Sequence, residues 1–184
     1  MSRLTVYRDT DASRPLLDTV DGAAIAEALT AIGVQFARWP AEAELAADAD
    51  DAAVMAAYAG AIDRLKAEGG YQAVDVVRML PDHPQRSVLR AKFLSEHRHD
   101  DDEVRFFVEG AALFYLRHAD RVHIVKCEAG DLISVPAGMR HWFDMGPEPR
   151  FTAIRLFISP EGWVARYTDD PIADEFPRFE PVAA

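Results

Sequence analysis

Within the stretch SEHRHDDDEVRFFVEG, Ser95 to Gly110, His97 and His99 stand one residue apart, Glu103 follows, and Arg105 comes two later. On a strand, residues two apart point to the same side. His97 and His99 therefore face together, with Phe93 and Ser95 upstream on that face. Beyond the acidic turn, Glu103 shares a face with Arg105. Parity alone leaves open whether the two faces coincide across the turn. If they do, one wall of a barrel carries two imidazoles, a carboxylate and a guanidinium. A third imidazole comes from GDLISVPAGMRHWF, where Pro136 and Gly138 form a tight turn that delivers His141, with Phe143 on the same face. Three neutral imidazoles and one carboxylate suit Fe(II), Ni(II), Mn(II) or Co(II) in octahedral geometry with two positions open. Zinc suits a four-ligand site that must stay open less well. A lone HxH is more often a polar strand than a metal site. Glu103 and the downstream PxGxxH, each at matching spacing, make a solvated loop a poor explanation.

These residues need strands to hold them. From Tyr71 on, YQAVDVVRML, RSVLRAKFLSEHRH, EVRFFVEGAALFYLR, RVHIVK, DLISVPAG, RHWFDM and FTAIRLFIS are rich in Val, Ile and aromatics. Turn chemistry such as PDHP, HDDD, RHAD, EAGD and GPEP separates them, so each is expected as a strand of an antiparallel sandwich or small barrel. Upstream, LTVYRD and GVQFARW alternate as short strands. Between them Ile25, Leu29 and Ile32 share one helical face, with Asp21 as N-cap and Gly33 as stop. A second helix is expected from about Asp51 to Glu68 on a stripe of Met55, Tyr58, Ile62 and Leu65, ended by Gly69 and Gly70. The expected organisation is one domain over 1–184. It has a strand and helix elaboration at 1–70, the metal-binding β-barrel at 71–167 and an extended strap at 168–184.

The 184 residues suffice for one domain with its own core. A single cysteine, Cys127, excludes an intrachain disulfide framework, fits a reducing compartment, and reads as an inert thiol. The opening MSRLTVYRDTDASRP has no signal-peptide character, and no apolar run approaches a membrane span, so a soluble cytoplasmic protein is expected. A net charge of -11 opposes nucleic acid and anionic membranes as partners. An anionic substrate would then need local positive charge.

The motifs resemble those of the cupins: His97-x-His99-x3-Glu103-x6-Gly110, then Gly130-x5-Pro136-x-Gly138-x2-His141. Ala91 and Met145 stand where that family has a glycine and an asparagine, and neither is a ligand. Within the cupins, EHRHDDDEVRFFVEG, VPAGMRHWFD and FTAIRLFISPEGWVA are similar to the acireductone dioxygenases of methionine salvage. The resemblance covers roughly Tyr71 to Tyr167, and the arginine two after the glutamate is its distinguishing mark.

That resemblance implies a mainly β fold, a cupin-type small barrel (double-stranded β-helix or jelly roll) with an N-terminal helical elaboration. It implies one Fe(II) or Ni(II) ion per chain, held by His97, His99, Glu103 and His141. The implied substrate is 1,2-dihydroxy-3-keto-5-methylthiopentene, an enediol bound as a dianion and cleaved with O2. With Fe(II) the products are formate and the 2-keto acid precursor of methionine. With Ni(II) they are formate, carbon monoxide and methylthiopropionate. Arg105 would orient the enediolate, its alternative being an ion pair with nearby aspartates. Arg155, a strand arginine between Ile154 and Leu156, needs an anionic partner if buried. Substrate, Glu103 and a plain structural carboxylate all qualify. Phe93, Phe143 and Trp163 would wall the pocket around the methylthioalkyl tail, with ordinary core packing as the alternative. Asp101 or Glu96 would orient a ligand imidazole. His83, His118 and His123 read as solvated. A monomer is expected. Another metal cupin acting on a different enol, or a non-catalytic ligand-binding cupin, would share the ligands. Arg105 with Arg155 argues against the first, and the intact ligand set against the second.

Overall fold

The computed structural model describes residues 1–46 and 48–180. The strands are β1 (Arg3–Arg8), β2 (Leu17–Thr19), β3 (Gln35–Arg38), β4 (Ala73–Met79), β5 (His97–Arg98), β6 (Glu103–His118), β7 (Arg121–Glu128), β8 (Asp131–Val135), β9 (Arg140–Asp144), β10 (Phe151–Phe157) and β11 (Arg166–Tyr167). The helices are α1 (Gly22–Thr30), α2 (Asp51–Ala57), α3 (Ala59–Gly69) and α4 (Arg86–Leu94), followed by a 3-10 turn at Pro171–Glu175.

β6 organises the barrel. Its first half pairs with β8 and β10, and its second half with β7 and β9. One sheet thus runs β2-β1-β7-β6-β9-β5-β11, the other β3-β8-β6-β10-β4, all antiparallel where paired. The crossing needs a sharp change of direction within one chain segment. Gly110 provides it with φ +67, packed so tightly that a Cβ there would lie 1.8 Å from the carbonyl oxygen of Arg150. A register shift between Thr152 and Ala153 on β10 accommodates the same bend.

Burial follows from that path. Phe107, Phe114, Phe143, Phe151, Ile133 and Leu116 fill the space between the sheets, and α1 closes one side with Ile25 and Leu29. Val104, Phe106, Leu132, Ile154 and Leu156 point outward from the second sheet and are covered by Val54, Tyr58, Ile62 and Leu65 of α2 and α3. Tyr115, Val122, Ile124 and Trp142 point outward from the first sheet and are covered by Ile172, Ala173 and Phe176. The alternating strands therefore bury both faces, one in the barrel and one under an added layer.

Several expectations are corrected. Arg86–Leu94 is a helix instead of a strand. Leu89 and Phe93, four residues apart, pack on the barrel core, while Arg90 makes a two-point ion pair with the buried Asp144. The helical spacing of Leu89 and Phe93 and these tertiary contacts outweigh the β-propensity of Val88 and Phe93. The expected Asp51–Glu68 helix is two helices that meet at Tyr58, whose φ of -112 and ψ of 20 leave the helical region. β2 was not foreseen in the sequence. The C-terminal strap carries a 3-10 turn instead of running extended, and its last residues, 181–184, lie outside the described residues. Asp21 caps α1 as expected, accepting from the backbone N–H of Ala24 at 2.8 Å.

Gly110→Ala is expected to lose roughly 2–4 kcal/mol of stability in denaturant unfolding, because positive φ and overlap with a neighbouring carbonyl act together. Gly60→Ala, inside α3 with nothing within 4 Å of its Cβ, should gain about 0.5–1 kcal/mol in the same measurement.

Candidate metal centre

The acidic turn does align the two faces. His97, His99, Glu103, Arg105 and His141 are all buried within the barrel. His97 lies directly opposite His141 in the β5–β9 pairing. The turn carrying Gly138, with φ +77, is tied to the first arm because Gly138 N–H donates to the His99 carbonyl at 2.9 Å. Asp102 caps the same turn by accepting from Ala137 N–H at 2.8 Å.

Ligand atoms of His97, His99 and His141 all lie within 4.8 Å of one another. Glu103 Oε2 stands 3.4 Å from His141 Nε2 and 3.7 Å from His99 Nε2. Each imidazole is aimed from behind by a backbone carbonyl: Nδ1 of His97 to Ser95 at 2.7 Å, of His99 to Val164 at 3.1 Å, and of His141 to Met139 at 2.8 Å. An Nδ1–H donating to a carbonyl leaves Nε2 as a lone-pair donor, and those of His99 and His141 are turned toward the carboxylate. Neither Asp101 nor Glu96 takes the orienting role expected of it. Asp101 accepts from the backbone of Ser159, and Glu96 from Thr168 and Arg117.

The electrostatics favour a cation at this point. Burial, and then the neighbouring His141, push His97 down to about 3, so the ring is neutral. Burial likewise lowers His99, against the pull of Glu103. For Glu103 burial alone would raise the carboxyl, but Arg105, then His141 and His99, hold it well below the usual carboxylate range. Among the described residues, two buried polar atoms without a hydrogen-bond partner, Glu103 Oε2 and His141 Nε2, face each other here. Buried groups of this kind want a partner. A divalent cation satisfies neutral imidazoles and an ionised carboxylate together, so the residues fit the metal.

Arg105 Nε donates to Glu103 Oε1 at 2.7 Å, and its guanidinium lies 4.4 Å from the ring of Phe143 and 4.8 Å from that of Phe114. Its partner is thus the candidate ligand itself, not one of the nearby aspartates. Burial lowers its pKa, with Glu103 opposing, and an arginine remains cationic under that pressure. Arg155 lies directly across from Arg105 on β10, with Asp75 across from it on β4. It spends Nε and Nη2 on Asp75 at 2.9 and 2.6 Å, which makes it the plain structural ion pair among the alternatives, without a hydrogen bond to Glu103. Two adjacent guanidiniums on one barrel face need such a counter-charge. No sequence signal marks Asp75, eighty positions earlier in the chain.

Phe143 is buried in the barrel, and Phe93 meets it edge-on from α4 at 6.1 Å. Phe93 thus reaches the core from a helix, not from the strand face expected of it. Trp163 does not wall the pocket: it stands 54% exposed in the turn after β10. His83 and His118 lie toward the surface, but His123 is buried. The expectation for His123 is reversed because the strap covers Val122 and Ile124, leaving the other face of β7 to lie inward beside Val6. Cys127 is buried in the core, with its thiol pushed well up by burial.

A family model for the ARD/ARD' family matches residues 3–165. The acireductone dioxygenase of Parvibaculum lavamentivorans is 61% identical over 180 residues, covering 98% of each chain. That of Citrobacter koseri is 57% identical over 178 residues, covering 97% of this chain and 99% of the relative. A solved acireductone dioxygenase from Bacillus anthracis, with a cadmium ion in its active centre, superposes with a TM-score of 0.78 at 30% identity. The match covers 91% of this chain and 98% of that one. A fold, a three-histidine centre and similarity over nearly the whole chain all agree: the chain belongs to the ARD/ARD' family, that of the acireductone dioxygenases.

Proposed function

We propose that the protein is a metal-dependent dioxygenase that cleaves the acireductone 1,2-dihydroxy-3-keto-5-methylthiopentene with O2. The observation that carries this reading is the cluster of His97, His99 and His141, with the unpartnered Oε2 of Glu103 beside His99 and His141 and Arg105 bonded to the other carboxylate oxygen. These four ligand residues would hold one Fe(II) or Ni(II) ion. When bound, the ion supplies a Lewis-acidic centre that lowers the pKa of the enediol and holds it near O2.

The chain's own residues do the rest. Arg105 keeps Glu103 ionised and turned toward the histidines. Its terminal nitrogens are the donors we assign to the enediolate oxygens, in a site dry enough for such bonds to be strong. Charge there is local, which reconciles an anionic substrate with the acidic chain. Phe93 and Phe143 are assigned to the methylthioalkyl tail, since sulfur packs well on aromatic rings. We place the protein in the cytoplasm as a monomer, without nucleic-acid or membrane partners. No helix among the described residues is long and apolar enough to cross a membrane.

Metal-stripped protein reloaded with Fe(II) should consume the enediol only when O2 is admitted, followed by loss of its absorbance, and yield formate with the 2-keto acid. Ni(II) loading should yield carbon monoxide and methylthiopropionate with the formate. His99→Ala and Glu103→Gln should lose stoichiometric metal and the activity together. Turnover by metal-free protein, or tight metal binding with no turnover of this enediol, contradicts the proposal.

Arg105→Gln should lower kcat/KM for the enediol by about 10²–10³-fold, as expected when a preorganised donor to a developing oxyanion is removed. Metal content measured on the same sample separates this loss from weakened ligation by Glu103.

Metal-free protein should also lose stability in acid. Between an ordinary imidazole value of 6.5 and the folded value of about 3 for His97, the unfolded chain takes up a proton that the folded chain refuses. Stability therefore falls as pH drops below 6.5 and levels off near 3. Thermal unfolding at about pH 5 should show roughly 2 kcal/mol less stability from this group than at about pH 7.5. A His97→Asn variant should show a shallower slope.

A further inference from the structure

β5, which carries His97, has only two residues and shares one residue pair with β9. A strand this short does not define its own position. Its other side is held by the C-terminal segment. Tyr167 pairs with His97 and Arg166 with Arg98 in β11, and the ring of Tyr167 lies 5.8 Å from that of His97. Further along the segment, Thr168 N–H donates to the Glu96 carbonyl at 3.1 Å and Thr168 Oγ1 to Glu96 Oε1 at 2.7 Å. The Glu96 side chain is fully buried. Its second oxygen faces Arg117 of β6, whose Nη1 reaches Glu96 Oε2 at 3.4 Å and Asp170 Oδ2 at 2.7 Å, while Nη2 reaches Asp9 Oδ2 at 3.5 Å. One guanidinium thus joins three carboxylates from three separate segments. Asp170 in turn caps the 3-10 turn by accepting from Ile172 N–H at 3.0 Å. The side-chain hydrogen bonds of Glu96, Thr168 and Arg117 run to one another, to Asp170 and to Asp9, and none runs to a candidate metal ligand.

We propose that Glu96, Thr168 and Arg117 are positioning residues that lock the His97–His99 arm to the C-terminal segment, and that through this lock they set the affinity of the centre for its metal. The inference rests on the reading of His97, His99 and His141 as metal ligands. Arg117 sits one residue from Leu116, which faces His141 across β6 and β9, so the lock registers the first arm against the strand that bears the third histidine. Loss of a partner bonded directly to a ligand typically changes metal affinity by about 10- to 100-fold, and this lock, which acts through the backbone beside His97, is expected at the lower end of that range.

The test is Ni(II) affinity by chelator competition on tag-free full-length protein, with the Co(II) visible spectrum as a report on ligand geometry. Hydrogen exchange of residues 164–170 is followed with and without Ni(II). Glu96→Gln keeps the shape and an acceptor for Thr168 but removes the charge from Arg117. It should weaken Ni(II) binding by about 10-fold or more, alter the Co(II) spectrum, and abolish the slowing of exchange in 164–170 that Ni(II) produces in the unaltered protein. Thr168→Val should act in the same direction, and carries the test should Glu96→Gln not fold. Asp18→Asn, which breaks the exposed pair with Arg3, should leave affinity within about twofold. Glu96→Gln and Thr168→Val that lose thermal stability yet bind Ni(II) as tightly as the unaltered protein, with the same Co(II) spectrum, would overturn the lock. Failure of the unaltered protein to bind one Ni(II) per chain would overturn the metal reading beneath it.

Discussion

A carboxylate buried inside a β-barrel is the constraint around which this protein is arranged. Glu103 is 1% exposed, and a lone ionised carboxylate at such a depth would protonate or unfold its surroundings. Arg105 prevents this by bonding one oxygen, and two imidazoles face the other. The guanidinium is itself buried and needs its own compensation. It takes this from the faces of Phe143 and Phe114 and from the carboxylate, while Asp75 neutralises the adjacent Arg155. The pair is therefore poor ground for a stability argument, since an apolar pair of the same volume would often do as well. Its consequence is chemical: a negative oxygen held without a proton donor beside neutral nitrogen donors.

His97 and His99 are held toward the neutral form for a related reason. Burial disfavours their charged forms, and the rings of His97, His99 and His141 are each turned by an Nδ1 contact to the backbone carbonyl of Ser95, Val164 and Met139 respectively. Of the aspartates in the HDDD turn, Asp100 pairs with Arg166, and the other two serve the loop backbone. Asp101 and Asp102 accept from the backbone of Ser159 and Ala137, and so fasten the turns on either side of the centre. The bend itself falls to Gly110, where β6 passes from one sheet to the other, its first half bringing Glu103 and Arg105 to the interior.

The outer layers hold this interior in place. The two helices α2 and α3 cover one sheet, and the strap covers the other. The strap also continues the chain that backs His97 and His99, so a segment that looks like mere cover reaches the centre within a few residues. Trp163 lies in the same stretch but at the surface, because the turn after β10 packs Gly162 against Asp101 and Phe157.

The sequence by itself determined the candidate ligand residues and the class of fold. Period-two alternation, the HxH and its following glutamate, and the Pro-Gly turn before His141 are local patterns with local physical meanings. So are the Asp21 cap and the apolar stripe of Ile25 and Leu29. Whether the faces of His97 and Glu103 coincide was beyond parity, because a turn of unspecified geometry lies between them. Only the tertiary structure decided that. The same limit explains the misread elements. Arg86–Leu94 becomes a helix through Leu89, Phe93 and the distant Asp144, and His123 turns inward because the strap claims its neighbours. Ion partners far apart in the chain, Asp75 for Arg155 and Glu96 for Arg117, leave no local trace. Pairing of this kind depends on register between strands, and register is a property of the folded sheet.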